Sequence, residues 1–268
     1  MTPPPDPATE AADPTPRRGG PQRIPVPEGG SRPGAGAPWA DLADDLRRPT
    51  LADVRAALAA AGPAVESPVE RGGFEAAASI PASVRRLMPA GDRPPVPSAV
   101  LAPLYERDGE AWVVLTRRGL AMRAHAGEIS FPGGRREPGD RDLVHTALRE
   151  SEEEIGLDPG SVEIIGELDH LATITSGSFI IPWVGALPEP PDVRPRSVEV
   201  DGVIEVALSE LMLPGVFREE VWDLGGIHRP IVFFDLVGDT VWGATAAMLR
   251  QLLGLVTGTV ARGELGHD

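Results

Sequence analysis

The chain has 268 residues, of which 41% are hydrophobic, and its formal net charge at pH 7 is −15. This length is sufficient for one substantial core with appendages or for two small domains. The negative charge argues against a nucleic-acid-binding surface, which would be basic, and the absence of cysteine excludes disulfides, thiol catalysis and cysteine-based zinc sites.

Targeting and membrane signals are not recognisable in the sequence. The first residues, MTPPPDPATEAADPTPRRGG, lack the apolar run of a secretion signal. No apolar stretch of about 18 residues is free of charge, so we predict no membrane span. We expect a cytoplasmic protein that binds neither nucleic acid nor membranes, and the sequence leaves a homodimer open.

Composition divides the N-terminal part of the chain into two segments. Residues 1–37 are mainly Pro, Gly and small polar residues, which cannot bury enough apolar surface to offset chain entropy, so we predict a disordered and dispensable tail. Residues 38–96 are predicted to form a helical extension, with a helical turn at residues 82–88. Residues 39–62 indicate two short helices, the second with Thr50 as its N-cap. One side of this second helix carries Leu51, Val54 and Leu58.

The main domain is predicted over residues 97–258 and is followed by a C-terminal tail at residues 259–268. Its first two strands lie in SAVLAPLYERDGEAWVVLTRR, where Asp108-Gly109 marks a hairpin turn. A helix from about Asp140 to Ile155 follows and is ended by Gly156. Later strands are predicted in SVEIIGELDHLATI, SGSFIIPWVGAL, SVEVDGVIEV, GVFREEVWDL and RPIVFFDLV, and the last helix in ATAAMLRQLLGLV. This mixed order predicts an α/β fold, with a mixed β-sheet sandwiched between helices.

The helix that ends at Gly156 carries a cluster of acids. At about 100° per residue, Glu150, Glu153 and Glu154 share one face, whereas Glu152 points away from them. Several carboxylates on one face suit a hard divalent cation, and a solvated acidic face is the alternative interpretation. A separate apolar face is predicted from Val144, Leu148 and Ile155.

The segment from Gly134 to Leu157 resembles the Nudix box, G-x5-E-x7-R-E-U-x-E-E-x-G-U, in which U is an aliphatic residue. Two positions depart from the pattern. Asp140 occupies the first Glu position, with eight rather than seven residues before Arg149, and Ser151 occupies the first aliphatic position. The matching residues are Gly134, Arg149, Glu150, Glu153, Glu154, Gly156 and Leu157.

The resemblance to this family implies a Nudix fold and a metal-dependent hydrolase. It implies that Mg²⁺ or Mn²⁺ is held by helix carboxylates and binds a diphosphate, while water attacks one phosphorus. The implied metal ligands are Glu150, Glu153 and Glu154, of which the last two are also catalytic candidates. Arg149 is expected to orient these carboxylates through ion pairs.

The general base is a separate question, because the box glutamates could be fully used as metal ligands. Glu199 and Asp201, in the segment RPRSVEVDGVIEV, are candidates outside the box. Glu199 is our candidate catalytic residue in this segment, although Gly202 stands where a second acid would be expected.

The preceding segment, LTRRGLAMRAHAGEISFPGG, resembles the signature of the coenzyme A diphosphatase branch, roughly L-T-x-R-[SA]-x3-R-x3-G-x3-F-P-G-G. Gly119 is the one mismatch. This resemblance implies cleavage of coenzyme A or acyl-CoA to 3′,5′-ADP and 4′-phosphopantetheine, acylated or not. The predicted substrate-binding residues are Arg118, Arg123, Gly133 and Gly134.

The other charged groups in this segment and directly after it are not predicted to take part in the reaction. Arg117 and Arg135 are predicted to be surface charges, and His125 is predicted to be a hydrogen-bonded loop residue rather than an acid or base. The Gly133-Gly134 turn is expected to let the backbone pass close to the metal and the phosphates.

Two other functions remain open from the sequence. One is hydrolysis of a different nucleoside diphosphate derivative, such as ADP-ribose or a dinucleotide, and the upstream signature favours coenzyme A over it. The other is a non-catalytic Nudix module that binds a nucleotide and regulates a partner. Such modules commonly lose box carboxylates, whereas this chain keeps Glu150, Glu153 and Glu154.

Overall fold

The structure is a computed structural model that describes residues 19–64, 96–120, 126–172, 178–226 and 228–263, apart from residues 21, 23 and 26. Arg123, His125 and the helical turn predicted at residues 82–88 lie outside the described residues. None of the helices in the described ranges is long and apolar enough to cross a membrane.

The described residues contain twelve strands and four α-helices. The strands are β1 (Ser31–Pro33), β2 (Val96–Arg107), β3 (Glu110–Arg118), β4 (Ile129–Ser130), β5 (Gly133–Arg135), β6 (Glu163–Glu167), β7 (Leu171–Ala172), β8 (Ser178–Ala186), β9 (Val200–Ala207), β10 (Phe217–Asp223), β11 (His228–Asp235) and β12 (Thr240–Trp242). The α-helices are α1 (Leu51–Ala61), α2 (Leu143–Ile155), α3 (Leu208–Leu211) and α4 (Gly243–Thr257). Short 3₁₀ helices occur at Asp44–Arg47 and Pro159–Ser161.

In this part of the chain the strands form a larger mixed sheet and a smaller antiparallel sheet. The larger sheet follows the order β4-β3-β2-β8-β6, with β5 paired to β2, β7 to β8 and β9 to β3. Strands β2 and β8 run parallel, and the other pairs are antiparallel. The smaller sheet has the order β1-β10-β11-β12. The predicted hairpin is confirmed, because β2 and β3 are joined through Asp108-Gly109, both at positive φ.

Side chains alternate between the two faces of the larger sheet and define two layers of core. On β2, Leu101 and Tyr105 face helix α2, whereas Ala102 and Leu104 face the layer that contains α1, α4 and the smaller sheet. Helix α2 packs on strands β2, β5, β8 and β9. Helices therefore cover both faces of a mixed sheet, which confirms the predicted α/β architecture.

The helical extension is part of the same core. The predicted second helix is confirmed as α1, and Thr50 forms a capping box with Asp53 at its N-terminus. Val54 and Leu58 are buried against the larger sheet and α4. Trp39 packs between the rings of Phe217 and Phe234, at centroid distances of 5.3 and 6.2 Å. The partly buried Leu51 completes the apolar side of α1.

The prediction that residues 1–37 are disordered is wrong for the residues of this segment that the structure describes. Strand β1 pairs with β10 along the edge of the smaller sheet. Upstream, Gln22 donates from Nε2 to Asp239 at 3.0 Å and accepts from the Thr240 backbone N–H at 3.1 Å. Pairing with strands near the other end of the chain supplies the order that composition alone does not provide.

Helix α2 differs in two respects from the predicted helix. It begins at Leu143 rather than near Asp140, because the Asp142 side chain caps it by accepting the His145 backbone N–H. The predicted apolar face is confirmed in part, because Ile155 is buried and the partly buried Leu148 packs against the same core, whereas Val144 is only partly buried. The side chains buried against the sheet are those of Thr146, Ala147, Ser151, Glu154 and Ile155. Small residues allow this face of the helix to approach the strands closely.

Candidate active site

The site lies where strand β5 passes beside helix α2. The backbone N–H of Gly133 donates to Glu154 Oε2 at 3.2 Å. A Cβ on Gly133 would lie 2.4 Å from the Ala99 carbonyl oxygen, and a Cβ on Gly134 would lie 2.5 Å from the Glu150 carboxyl group. Only glycine at both positions lets β5 fit between β2 and the box carboxylates without displacing one of them.

The carboxyl group of Glu154 is buried in the protein. Only 6% of the residue is accessible. Burial raises the pKa of this carboxyl to about 7, and the nearby charges of Glu150 and Glu199 act in the same direction. The Gly133 N–H and the charge of Arg118 oppose this increase. Glu154 therefore titrates near neutrality in the protein alone.

Glu150 and Glu153 lie on either side of one arginine. Arg149 donates from Nη2 to Glu150 Oε1 at 3.0 Å and from Nη1 to Glu153 Oε2 at 3.1 Å. Glu150 is largely buried, which raises the pKa of its carboxyl, whereas the Glu153 side chain is 58% exposed. Helical spacing predicts that these two acids share one face with Glu154, and the structure shows that the three side chains are buried to different extents.

The Arg149 guanidinium is itself fixed by Asp140. Arg149 donates to both oxygens of Asp140, from Nε at 2.9 Å and from Nη2 at 3.1 Å. Thr146 Oγ1 and the Glu137 backbone N–H donate to the same buried carboxylate. These contacts, with Arg149 the strongest, hold the pKa of Asp140 well below its usual range and raise the pKa of Arg149. Asp140 thus orients Arg149. This contact gives a structural role to the residue that occupies the first Glu position of the Nudix pattern.

Ser151, the second departure from the box pattern, has a local explanation. Its side chain is buried on the sheet-facing side of α2, with 1% of the residue accessible. Its hydroxyl donates to the Ala147 carbonyl oxygen at 2.7 Å, so the buried polar group is satisfied within the helix. A serine can therefore occupy a position where the pattern has an aliphatic residue.

Two neighbouring arginines at the end of β3 point to opposite faces of the sheet. Arg118 lies on the α2 face, where its Nη2 is 3.5 Å from Glu199 Oε2. Arg117 lies on the other face and donates to both carboxylate oxygens of the buried Asp239. Arg117 is therefore outside the site, as predicted, but it is a paired structural residue rather than a free surface charge. Arg135, also predicted to be a surface charge, is exposed.

Glu199 lies at the site, whereas the Asp201 side chain binds the backbone just after β3. Glu199 accepts the Gly119 N–H on its carbonyl oxygen at 2.8 Å, which holds the segment before β9 against the end of β3. Asp201 Oδ2 accepts the Leu120 N–H at 2.9 Å, and this contact anchors the same junction. Gly202 pairs with Arg117 across the sheet.

Sequence reasoning missed the segment that crosses the C-terminal end of α2. The backbone N–H groups of Arg194 and Arg196 donate to the carbonyl oxygens of Ile155 and Glu154 at 3.0 and 2.8 Å. A Cβ on Gly156 would lie 2.2 Å from Arg196 Nε, so Gly156 both ends the helix in a left-handed conformation and leaves room for this arginine. The contact joins distant parts of the chain, and the local pattern contains no signal for it.

The carboxylates of this site meet the needs of a divalent cation in part. In the ranges that the structure describes, no three His, Asp or Glu side chains converge in the arrangement of a finished metal site. The donor chemistry nevertheless fits, because Glu150 and Glu154 are carboxylates one helical turn apart that interact electrostatically, and burial raises the pKa of both. A hard cation would favour the ionised form of both groups. The set of ligands formed by Glu150, Glu153 and Glu154 stays a prediction.

A mixed sheet between helices, with a carboxylate-bearing helix behind a Gly-Gly strand, is the arrangement expected from the resemblance to the Nudix box. The family model described as NUDIX domain matches residues 95–220. The chain is 35% identical over 155 residues to NudL, an uncharacterized Nudix hydrolase of Yersinia enterocolitica, which covers 58% of this chain and 78% of that protein.

A second relative, the uncharacterized Nudix hydrolase NudL of Photorhabdus laumondii, is 36% identical over 156 residues, or 58% of this chain and 82% of that protein. A solved Nudix hydrolase from Alicyclobacillus acidocaldarius is 17% identical, with a TM-score of 0.41 over 65% of this chain and 100% of its own. The chain belongs to the Nudix hydrolase family, whose members act on nucleoside diphosphate derivatives and generally need divalent metal ions.

Proposed function

We propose that this Nudix hydrolase cleaves the diphosphate of coenzyme A or acyl-CoA, yielding 3′,5′-ADP and 4′-phosphopantetheine or its acylated form. The observation that supports this substrate most directly is the position of Arg118, which belongs to the upstream signature. Its guanidinium lies beside Glu199 and is close enough to influence the charge of Glu154. A cation of the signature therefore accompanies the carboxylates of the box.

The reaction is a hydrolysis. A water oxygen forms a bond to one phosphorus, the bond between that phosphorus and the bridging oxygen breaks, and two phosphate monoesters leave. Arg118 and Arg123 bind phosphate oxygens, for which the planar guanidinium is well suited. Bound Mg²⁺ or Mn²⁺, held by Glu150, Glu153 and Glu154, would neutralise charge on the phosphoryl oxygens and acidify the attacking water.

The other residues of the site have positioning or proton-transfer roles in this proposal. Arg149, fixed by Asp140, keeps Glu150 and Glu153 in place. Glu199 accepts the proton of the attacking water. Its side chain is 53% exposed, so water and substrate have access to it. The glycines at 133 and 134 leave space for the phosphates beside β5.

A substrate panel tests this function. The full chain is incubated with coenzyme A, acetyl-CoA, octanoyl-CoA, NADH, ADP-ribose and dinucleotides, with Mg²⁺ or Mn²⁺, and products are identified by mass. We expect 3′,5′-ADP from every coenzyme A species, with kcat/KM highest for this group. Preferential cleavage of ADP-ribose or a dinucleotide would contradict the proposal in favour of the alternative substrates.

Arg118→Ala, with Arg135→Ala as its matched control, tests the role of the signature arginine. Both are arginines near the box, but Arg135 is exposed and only its backbone carbonyl contacts the site, through Arg149. We expect a raised KM for coenzyme A in the first variant only. Equal KM values in the two variants would remove Arg118 from the phosphate site.

The homodimer and the cytoplasmic location stay predictions.

A further inference from the structure

The pairing between β3 and β9 is irregular at the edge of the active site. Arg117 lies opposite Gly202. The next residue of β3, Arg118, lies opposite Val200. Strand β9 therefore advances by two residues where β3 advances by one, and Asp201 is the extra residue of a β-bulge. Bulges change the direction of neighbouring side chains and are frequent beside active sites, so this one bears on the residues around it.

The bulge determines which side chain shares a face with Arg118. Residues that lie opposite each other in an antiparallel pair project from the same face of the sheet. In a regular ladder Asp201 would lie opposite Arg118, and an acid would stand directly beside the arginine. With the bulge, that position belongs to Val200, which is buried in the same core as helix α2. The buried Nε of Arg118 has no hydrogen-bond partner in the part of the chain that the structure describes, so a donor is left for a ligand.

The same irregularity brings Glu199 to Arg118. Beyond the bulge, the backbone N–H of Gly119 donates to the Glu199 carbonyl oxygen at 2.8 Å. The Glu199 side chain lies with its Oε2 at 3.5 Å from Arg118 Nη2. In the proposed reaction, Glu199 accepts the proton of the attacking water and Arg118 binds phosphate oxygens. The offset between the two strands therefore sets the distance between the base and a phosphate-binding cation.

The Asp201 carboxylate contacts β3 on both sides of Arg118. After it in the chain, the Leu120 backbone N–H donates to Asp201 Oδ2 at 2.9 Å. Before it, the pKa of the Arg117 guanidinium is raised chiefly by its hydrogen bonds to Asp239, and the charge of Asp201 adds to this increase. Asp201 is exposed, so its side chain contributes to these contacts rather than to the packing of the core. The extra residue of the bulge thus ties β9 to the end of β3.

Gly119, the one mismatch to the upstream signature, leaves room for this carboxylate. A Cβ at this position would lie 3.3 Å from Asp201 Oδ1 and 3.0 Å from the Val198 carbonyl oxygen. The serine or alanine that the signature has here would press on both groups, and one of them would have to move by a few tenths of an ångström. The departure from the signature therefore accommodates the acid on the neighbouring strand.

We propose that Asp201 is a positioning residue for the hydrolysis, because its carboxylate fixes the offset of β9 that places Glu199 beside Arg118. This inference rests on the proposed function, and it gives Asp201 a role through Glu199 rather than through contact with the substrate. A displacement of about 1 Å in a catalytic group can reduce a rate on the order of 10²-fold, so loss of this anchor should be visible in turnover.

The test is a double-mutant cycle, measured as kcat and KM for coenzyme A with Mg²⁺. Asp201→Ala is compared with the wild type and, separately, is made in a Glu199→Gln background. We expect kcat to fall on the order of tenfold in the first comparison and by less than about twofold in the second, because an anchor that acts through Glu199 then has no base to position. Asp201→Asn keeps an oxygen acceptor for the Leu120 N–H and should retain most of the wild-type kcat. Equal losses in the two backgrounds, or in the alanine and asparagine variants, would overturn the positioning role.

Asp223→Ala is the matched control for the loss of a carboxylate that binds backbone. Asp223 Oδ1 also accepts a backbone N–H, from Gly226 at 2.6 Å, but it lies at the end of β10 in the smaller sheet. Its kcat and KM should equal those of the wild type. A decrease in kcat as large as that of Asp201→Ala would show a general effect of such losses and would overturn the positioning role.

Amide hydrogen exchange separates failure of this role from failure of the proposed reaction, because it needs neither substrate nor metal. In the metal-free protein, Asp201→Ala should speed exchange at Leu120 and also at Gly119, whose N–H donates to Glu199. Asp201→Asn should keep slow exchange at both amides. Unchanged exchange at Gly119 in Asp201→Ala would overturn the positioning role. If the wild type cleaves no coenzyme A species, the proposed reaction fails, and this measurement still decides whether Asp201 holds the two strands in place.

Discussion

The two faces of the larger sheet hold buried charge in different ways. On the face toward α4 and the smaller sheet, buried carboxylates are closed into ion pairs, Asp239 with Arg117 and Asp169 with Arg262. On the face toward α2, Asp140 is also paired, with Arg149, but Glu154 is buried beside Glu150, and burial raises the pKa of both carboxyls. Closed pairs fix structure, whereas incompletely compensated carboxylates mark the candidate site for the predicted cation.

The largest expected effect follows from removing one charge on the α2 face. Glu153→Gln and Glu154→Gln keep nearly the same shape but reduce the anionic ligands available to a cation. We expect turnover to fall on the order of 10²-fold or more in each, since metal-assisted charge stabilisation contributes several kcal/mol. Steady-state kinetics with Mg²⁺ measures this. Glu152→Gln is the control, because Glu152 is exposed and points off the cluster.

The opposite face should respond in stability rather than in catalysis. Arg262 donates from Nη1 to Asp169 at 3.1 Å and from Nη2 to the Glu167 carbonyl oxygen at 3.0 Å. Arg262→Ala leaves the buried carboxylate with fewer donors, and we expect a loss of about 2 kcal/mol in the free energy of unfolding, measured with urea. Turnover per folded molecule should not change. A catalytic loss without a stability loss would reverse the assignment of the two faces.

Deleting residues 1–37 should lower stability by a smaller amount. The deletion removes the pairing of β1 with β10 and the contacts of Gln22 with Asp239 and Thr240. We expect a loss of about 1 kcal/mol, seen as a melting temperature lower by roughly 2–4 °C. Gln22→Ala should reproduce part of this shift. An unchanged melting temperature would restore the sequence-based expectation of a dispensable tail.

A further expected effect is a difference in pH dependence within the α2 face. The pKa of Asp140 is lowered below its ordinary value of 3.8, so its contribution to stability is present above about pH 4 and is lost as the pH falls. The pKa of Glu154 is raised from 4.5 to about 7, so the folded state binds more protons and stability decreases as the pH rises through this range.

Urea unfolding of the metal-free protein from pH 3 to 8 measures both slopes. Glu154→Gln should remove the decrease between about pH 4.5 and 7, and Asp140→Asn should remove part of the acid sensitivity. Identical stability profiles for Glu154→Gln and the wild type would show that burial does not raise the pKa of Glu154.

Much of the fold could be predicted because its signals are local. The Asp108-Gly109 turn, the Thr50 cap and the glycine that ends α2 each act through neighbouring residues. Strand β1 could not be predicted, because its three residues gain order from β10, far along the chain. The buried face of α2 was predicted only in part, because hydrophobicity identifies Leu148 and Ile155 but not the polar Ser151, which is also buried against the sheet.

The candidate site also combines features that local sequence predicts with features that depend on tertiary packing. Helical spacing placed Glu150, Glu153 and Glu154 together, but not the unequal burial that separates Glu154 from Glu153. Alternation along β3 would have separated Arg117 from Arg118, and only the structure identifies Asp239 as the partner of the first. The path of Arg194 and Arg196 across α2 depends on tertiary packing.

The most direct test of the central claim is Mn²⁺ binding, followed by electron paramagnetic resonance at pH 7.5. The claim is that the carboxylates of the α2 face hold the cation that the family requires. We predict that the wild type and Glu152→Gln bind Mn²⁺ with equal affinity, and that Glu154→Gln binds it at least tenfold more weakly. Equal affinity in all three proteins would contradict the claim, because the carboxylates of this face would then not be the ligands.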